Sequence, residues 1–298
     1  MANNKVTAGS KGNIDATYFK SGMEYRQRTG LLLEAALRVA MSARSYRLAK
    51  TIIETVAMFK VGTLDHDSEK SKKYFHQLMM TQYGGVAGIP KLEIGEKTID
   101  TPNENEIVTE DKCCLTIEID RPHAESFTRQ KLAACMKQGI PPEVGLSTYR
   151  EAWWIIVRSK RLSGIDGSTD DNDTQIKELL NESNQVIEDN QLFKELDDSV
   201  AMRFKTESLD DRLTLAWPFM ISNVSQKSGK VKLRFQAPKV PGKYRFLVSI
   251  KSQEFIDADH EFAIDADVFD KNAVKRAPKE EKEEEKKSIK EDEPKKTK

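Results

Sequence analysis

Histidines and cysteines are the side chains in this sequence best suited to catalysis or metal binding. The four histidines are His66, His76, His123 and His260. None lies at the spacing from a cysteine or another histidine that metal sites or nucleophile–base pairs use. Two of the three cysteines, Cys113 and Cys114, are adjacent, so on a strand at most one of them reaches the core. Such cysteines form no disulfide framework and fit a reduced, cytosolic environment best.

No other motif in the sequence indicates an active site. The glycine-rich segment Tyr83-Gly-Gly-Val-Ala-Gly lacks the Lys-Ser/Thr ending and the preceding strand of a phosphate-binding loop. Neither a Gly-x-Ser-x-Gly nucleophile elbow nor a His-Glu-x-x-His helix is present. Carboxylates are numerous, but they cluster in low-complexity segments where no pocket excludes water from an acid–base pair. We therefore predict a non-enzymatic protein without a catalytic site, a metal or a cofactor.

The amino-acid composition indicates which classes of partner the protein can have. Apolar residues make up 38% and charged residues 32% of the 298 residues, so part of the chain is surface-rich or disordered. Lys plus Arg and Asp plus Glu both number 48, a balance that argues against a nucleic-acid partner. The most apolar stretches, at 31–41 and 152–157, are shorter than the ~20 residues of a membrane-spanning helix. We predict protein partners and no membrane span.

The N-terminal third of the sequence has a helical pattern. We predict a flexible leader at residues 1–15 and a helical region at 16–104. Apolar residues recur at helical spacing in two stripes, Leu32–Ala40 and Ala49–Val56. Ser42 and Ser45 lie between the stripes, and either can cap a second helix, although the pattern also allows one long helix.

Residues 105–270 alternate between apolar and polar side chains, as strands do. The strand signals are Leu115–Ile119, Ala152–Val157, Leu213–Trp217, Phe219–Val224, Val231–Phe235, Tyr244–Ile250 and Phe262–Val268. Pro218 interrupts this pattern and indicates a kink or an edge strand. About seven short antiparallel strands describe an immunoglobulin-like sandwich. The predicted fold class is therefore α+β, a helical region followed by an immunoglobulin-like β-sandwich.

Two insertions and a tail complete the predicted organisation. A helical insertion is expected at about 121–148. The acidic insertion at 166–211 contains fourteen Asp and Glu against four Lys and Arg, and we expect disorder with one helix near Gln175–Phe193. The Lys- and Glu-rich residues 271–298 have almost nothing to bury, which predicts a disordered charged tail.

The segment between the strands at 231 and 244 carries the most structural information. It leads from Phe235 through Pro238, Pro241 and Gly242 to Tyr244 at the start of the next strand. This is the position of a tyrosine corner, in which the phenol hydroxyl bonds to nearby backbone. The two strands that it joins then belong to opposite sheets.

This arrangement places a basic stripe on the outside of each sheet. One stripe is Lys230, Lys232 and Arg234, and the other is Lys243, Arg245 and Lys251. Exposed lysines on a sheet often serve only to prevent association with other sheets. The functional interpretation is that the first stripe docks an acidic partner.

The adjacent tryptophans Trp153 and Trp154 point to opposite faces of their strand. One ring is expected to fill the sandwich core. The other either packs beneath the helical region or contacts a partner, because large aromatic side chains are seldom exposed without a reason.

Five motifs in this order resemble the C-terminal domain of the Sec-sixty-three translocation protein family. Four of them are Glu151-Ala-Trp-Trp-Ile-Ile-Val157, Trp217-Pro-Phe-Met-Ile221, Val231-Lys-Leu-Arg-Phe-Gln-Ala-Pro238 and Pro241-Gly-Lys-Tyr244. In the family a Ser-Asp-x-Tyr-x-Gly-x-Asp turn follows, and here the residues from Ser252 to Asp259 keep the serine, an aromatic residue and the final aspartate. Gln253 and Asp257 depart from that pattern. The helices at 30–62 resemble the helical bundle of the family less closely.

The resemblance implies a subunit or accessory of the machinery that moves proteins into the endoplasmic reticulum. In that family the domain docks on the cytosolic side of the Sec-sixty-one type channel, and an acidic tail binds a Sec-sixty-two type subunit. It implies a location on the cytosolic face of the endoplasmic reticulum membrane as a peripheral protein, or in the cytoplasm. The sequence has no J domain, so the family's recruitment of a luminal ATPase is not expected.

Two alternatives remain open at this stage. Spliceosomal helicases of the Brr-two type contain a cassette of the same fold, so an RNA-processing interaction protein is the first alternative. The second is a fragment of a longer membrane protein.

Overall fold

A computed structural model describes four stretches of the chain and one single residue. They are residues 13–61, 90–165 apart from 103 and 105, 173–191, 205, and 208–271 apart from 254, 256 and 257. The predicted leader up to residue 12, much of the acidic insertion and the predicted tail from 272 lie outside them. Within these stretches the protein contains both helices and sheets, which confirms the predicted α+β class.

Two consecutive helices form the N-terminal part. They are α1 (Asn13–Ser42) and α2 (Tyr46–Val61). Of the two serines predicted as caps, Ser45 has this role, because its Oγ accepts a hydrogen bond from the Leu48 N–H at 3.4 Å. The backbone of Arg44 has a φ of 53°, which ends α1 and rules out one long helix.

The smaller sheet has three strands in the order β1–β3–β6, all antiparallel. The strands are β1 (Glu93–Asp100), β3 (Lys112–Asp120) and β6 (Ser228–Gln236). β1 lies within residues 16–104, for which the sequence predicted helix. A bulge between Ile94 and Lys97 reverses which side chains point to the core after it. Ile94 and Ile99 therefore both pack on the core, although an odd number of positions separates them. The bulge therefore removes the alternation from which a strand is recognised.

The larger sheet has five strands in the order β2–β8–β7–β4–β5. The strands are β2 (Ile107–Val108), β4 (Glu151–Ser163), β5 (Leu213–Ile221), β7 (Gly242–Ser252) and β8 (His260–Phe269). Only the short pairing of β2 with β8 is parallel in the described part of the chain. β5 runs without a break through Pro218, whose missing N–H is tolerated because β5 is an edge strand.

The remaining helices lie in the predicted insertions. α3 (Ala124–Gln138) and α4 (Pro142–Ser147) occupy the stretch predicted as a helical insertion. α5 (Asp173–Asp189) lies in the acidic insertion, near the helix expected there, and a 3₁₀ turn at Leu209–Asp211 precedes β5. None of the helices in the described stretches has an apolar run long enough to span a bilayer.

Two hydrophobic clusters meet at the larger sheet. The first lies between the sheets and includes Leu115, Trp153 and Phe246, which are fully buried. The second joins α1, α2 and the opposite face of the larger sheet, with Ile53 and Ile156 almost fully buried. The larger sheet therefore has a hydrophobic cluster on each face, whereas the described residues place a cluster on one face of the smaller sheet.

Candidate interaction surfaces

The β6–β7 connection is fixed by the hydroxyl group of Tyr244. This hydroxyl donates a hydrogen bond to the Val240 carbonyl at 2.6 Å, and the side chain is 2% exposed. The Phe235 ring lies 5.7 Å from the Phe246 ring within the core between the sheets. The predicted hydrogen bond from phenol to nearby backbone is therefore present, and β6 and β7 belong to different sheets as expected.

Gly242 and the two prolines of this connection have distinct structural roles. Gly242 has a φ of 154°, and a Cβ atom there would lie 2.6 Å from the Ser163 carbonyl oxygen. The Pro241 carbonyl accepts hydrogen bonds from Arg161 Nε at 3.0 Å and Nη2 at 2.8 Å, which ties the connection to β4. Pro238 is half-buried in the same connection.

The two tryptophans separate as the strand geometry predicts. Trp153 is fully buried between the sheets, and its Nε1–H donates to Glu151 Oε1 at 2.9 Å. Trp154 faces the helices, where it is half-buried against the second cluster. It borders a groove of about 400 Å³ whose other walls are α1 and α2. The packing interpretation of the second tryptophan is thus the one that the structure supports.

The three cations of the first stripe form an exposed row on β6, an edge strand of the smaller sheet. Lys230, Lys232 and Arg234 are exposed, while the alternate residue Leu233 is buried. Lys230 Nζ lies 3.7 Å from Glu118 Oε1 on β3. Among the described residues, neither Lys232 nor Arg234 has a carboxylate within ion-pair distance. The row therefore presents positive charge that is only partly neutralised by its own sheet.

The second stripe is not an outward basic surface, because Lys251 is buried. Its side chain is 9% exposed, and its Nζ lies 2.9 Å from Asp259 Oδ2 and 3.0 Å from Glu54 Oε1. Burial lowers the pKa of Lys251, but hydrogen bonds and charge from Asp259 and Glu54 outweigh burial and raise it. α2 covers this part of the larger sheet, and the sequence alternation of β7 could not show that cover.

Ser252 and Asp259 close the turn between β7 and β8. The Ser252 N–H donates to Asp259 Oδ1 at 3.1 Å, and Ser252 Oγ accepts from the Phe255 N–H at 2.9 Å. Asp259 also pairs with Lys251, so the turn is linked to the contact with α2. Both signature residues thus act on the backbone conformation of the turn.

A buried polar network between the sheets was not predictable from the sequence. Glu151 is fully buried and accepts hydrogen bonds from Arg121 Nη2 at 2.5 Å and from the Tyr149 hydroxyl at 2.5 Å. His123 Nε2 lies 3.2 Å from the same carboxylate oxygen. Arg121 Nη1 donates to the carbonyl groups of three residues in the β5–β6 connection, namely Asn223, Val224 and Gln226. Glu151 and Arg121 lie at strand ends, where charged residues are normally solvated. Their positions in the sequence therefore do not indicate that they are buried.

The titratable groups of this network are engaged in structural contacts. Burial raises the pKa of Glu151, but hydrogen bonds from His123, Arg121 and Tyr149 outweigh it and lower the pKa to about 2.

Burial raises the pKa of Cys113 to about 11, so its thiol stays protonated at neutral pH. Cys113 belongs to the core between the sheets, whereas Cys114 lies on the other face of β3, as the strand geometry predicted.

The two histidines that the structure describes, His123 and His260, make different contacts. His123 belongs to the buried network, and His260 lies at the start of β8, where burial and then Lys91 lower its pKa. His66 and His76 lie outside the described residues. Within the described stretches, no group of three or more His, Cys, Asp or Glu side chains is placed to hold a metal ion.

Comparison with known proteins gives no assignment for this arrangement. No model of a known protein family matches the chain, and no curated protein matches it in sequence.

Proposed function

We propose that this protein is a non-enzymatic interaction module of the machinery that moves proteins into the endoplasmic reticulum. It docks on the cytosolic side of a Sec-sixty-one type channel, and a Sec-sixty-two type subunit is a possible second partner. The proposal rests on the ordered motifs that resemble the Sec-sixty-three family. It is supported by specific contacts of residues in these motifs, namely Trp153 with Glu151, Tyr244 with Val240, and Ser252 with Asp259.

We propose further that the two sheets form an immunoglobulin-like sandwich. They share one hydrophobic core, and Trp153 on β4 lies at its centre. The hydrogen bond from Tyr244 to the Val240 carbonyl fixes the connection between strands of opposite sheets, as in a tyrosine corner. The location that follows from the proposal is the cytosolic face of the endoplasmic reticulum membrane, reached through protein contacts.

The observation that carries the docking proposal is the exposed row on β6. Lys230, Lys232 and Arg234 alternate along an edge strand, so their charged groups point to the same side. A surface of this kind complements an acidic channel loop, because unneutralised positive charge attracts it and orients the encounter. The matching row on β7 is not available, since Lys251 is buried and Arg245 pairs with Asp265 at 2.8 Å.

The test is co-purification of the full-length chain with a purified Sec-sixty-one type channel in detergent. Three variants are compared: wild type, the row reversed as Lys230→Glu, Lys232→Glu and Arg234→Glu, and a control reversed elsewhere. The control carries Arg129→Glu, Lys131→Glu and Lys137→Glu on α3, so both triple variants make the same change in net charge. We expect the row variant to lose channel binding and the control to keep it.

Salt provides an independent check on the same interaction. Raising ionic strength from 0.1 M shortens the Debye length from about 10 Å, so charge-driven binding should weaken. If the row variant folds normally and still recovers the channel, the row is not the docking face. If neither wild type nor control binds, the channel is not the partner. Affinity purification that instead recovers spliceosomal components would favour the RNA-processing alternative.

A further inference from the structure

A small cavity lies where the α1–α2 joint meets the start of β5 and the β6–β7 connection. Its volume is about 90 Å³, and Arg44, Arg212 and Lys239 contribute to its walls. Ser159 and Thr214 add two hydroxyl groups from neighbouring strands. This volume is enough for several water molecules or one small tetrahedral anion. Gln236, the last residue of β6, also borders the cavity, which therefore lies at the C-terminal end of that strand.

Arg44 occupies a backbone position that glycine usually takes. The Ser45 N–H donates to the Ala40 carbonyl at 3.0 Å and the Arg44 N–H to the Met41 carbonyl at 3.2 Å, which is a Schellman ending of α1. With a φ of 53°, Arg44 is in the left-handed region, where a Cβ atom is strained. An arginine at this position therefore has a conformational cost that glycine would avoid. We infer that the guanidinium group has a function that offsets this cost.

The joint is held firmly against the strand that supplies the second arginine. The Arg44 carbonyl accepts a hydrogen bond from the Leu213 N–H at 2.6 Å. The backbones of Ser45 and Arg212 pair as an isolated antiparallel β-bridge. Arg44 Nη1 donates to the Thr214 carbonyl at 3.3 Å. These contacts place the two arginines on neighbouring backbone segments, so both guanidinium groups border one cavity.

Among the side chains that the structure describes, neither guanidinium group has a carboxylate in contact. Arg212 Nε donates to Ser183 Oγ at 3.1 Å, and among the described residues no carboxylate lies within 4.0 Å of Arg44 or Arg212. Glu182 is the acidic side chain that acts on Arg212, and it lies 4.0 Å from Lys239. Burial and the charge of Arg44 nevertheless lower the pKa of Arg212. Arg44 is exposed and Arg212 is half-buried, so two like charges border the same cavity.

We propose that this cavity binds a phosphate-type oxyanion, with Arg44 and Arg212 as its principal ligands and Lys239 at its rim. Guanidinium groups bind such anions through paired, charge-assisted hydrogen bonds, which are stronger than neutral ones. Thr214 Oγ1 donates to Ser159 Oγ at 3.1 Å, so the Ser159 hydroxyl hydrogen is available as a further donor. The anion is either free phosphate or the phosphoryl group of a phosphorylated side chain.

The experiment measures binding of two probes to the full-length chain at constant ionic strength. The probes are inorganic phosphate and a short phosphoserine peptide, with sodium chloride and the unphosphorylated peptide as their controls. Calorimetric titration gives the Kd, and a thermal melt records the stabilisation that binding to the folded state must produce. The variants are Arg44→Gly, Arg212→Gln and, as a matched loss of one exposed charge, Arg129→Gln.

We expect at least one phosphate-bearing probe to bind wild type and Arg129→Gln equally, and at least tenfold more weakly to Arg44→Gly and Arg212→Gln. Arg44→Gly is the decisive variant, because glycine suits the backbone there and preserves the fold even if Arg212→Gln does not. Binding of the phosphopeptide alone would identify a phosphorylated side chain as the source. Binding of neither probe, or equal binding by Arg44→Gly, would overturn the proposal.

Discussion

Replacing Glu151 with glutamine would test the buried network most directly. The change keeps the size of the side chain but removes the negative charge opposite Arg121, whose side chain is 2% exposed. Glutamine also has one acceptor oxygen where the carboxylate uses two, so it cannot serve Arg121, Tyr149 and Trp153 together. The buried guanidinium then keeps the backbone carbonyl groups of the β5–β6 connection and the Tyr149 hydroxyl, but it loses the carboxylate.

The size of the effect follows from the pKa of Glu151. A shift from the ordinary 4.5 to about 2 corresponds to about 3 kcal/mol of stability at neutral pH. Since the pKa is depressed in the folded protein, this contribution is present above pH 4.5 and is lost as pH falls towards 2. At pH 3 about 2 kcal/mol of it is already lost. Removing one partner of a buried ion pair costs about 3–5 kcal/mol by comparison with other proteins.

Urea unfolding of wild type and Glu151→Gln at pH 7 and pH 3 measures the loss of stability caused by the substitution and the dependence of that loss on pH. We expect the variant to be less stable by about 3–5 kcal/mol at pH 7. The difference should shrink by about 2 kcal/mol at pH 3, because only wild type loses the Glu151 contribution. Other carboxylates titrate in both proteins and cancel in the difference. A loss below about 1 kcal/mol, or a difference that does not change with pH, would refute the assigned role of Glu151.

Three further substitutions and one hydrogen-exchange measurement address the β6–β7 connection, the helix joint and the acidic insertion. Tyr244→Phe removes one buried hydrogen bond and should cost about 1 kcal/mol in a thermal melt, so an unchanged melting temperature would contradict the corner. Gly242→Ala should cost more than about 1 kcal/mol, because its Cβ atom would meet a backbone oxygen at 2.6 Å. Arg44→Gly should raise stability by up to about 1 kcal/mol by relieving left-handed strain, and a clear loss would argue against that strain. Amide hydrogen exchange should be slower in α5 than in the flanking parts of 166–211, and uniform protection would show that the segment was misinterpreted.

The sequence predicted the features that depend on local pattern. Strict alternation from Val231 to Phe235 placed Leu233 inside and Arg234 outside, because a strand has a side-chain period of two. Tyr244 was predictable as well, since Pro and Gly fix the turn before it and bring its hydroxyl near the preceding backbone. Such features need only a few neighbouring residues for their interpretation.

Features that depend on distant residues were not predictable in the same way. Lys251 has the alternation of an exposed residue, and its burial depends on Glu54, which is almost two hundred positions earlier in the chain. Arg121 and Glu151 stand at strand ends, and only the folded sheets bring them within hydrogen-bond distance. β1 escaped recognition for a local reason, because its bulge places Ile94 and Ile99 on one side.

The helices that pack on the larger sheet determine which of its charged side chains a partner can reach. A strand buried on both faces has apolar side chains at consecutive positions, as in the run Ala152–Val157 on β4. On one face this run contacts the core between the sheets, and on the other Ile156 contacts α1 and α2. The same cover neutralises Lys251, so the cations of β7 cannot serve as an extended docking surface. The docking surface that we propose is therefore β6, where Lys232 and Arg234 are exposed and, among the described residues, have no carboxylate within ion-pair distance.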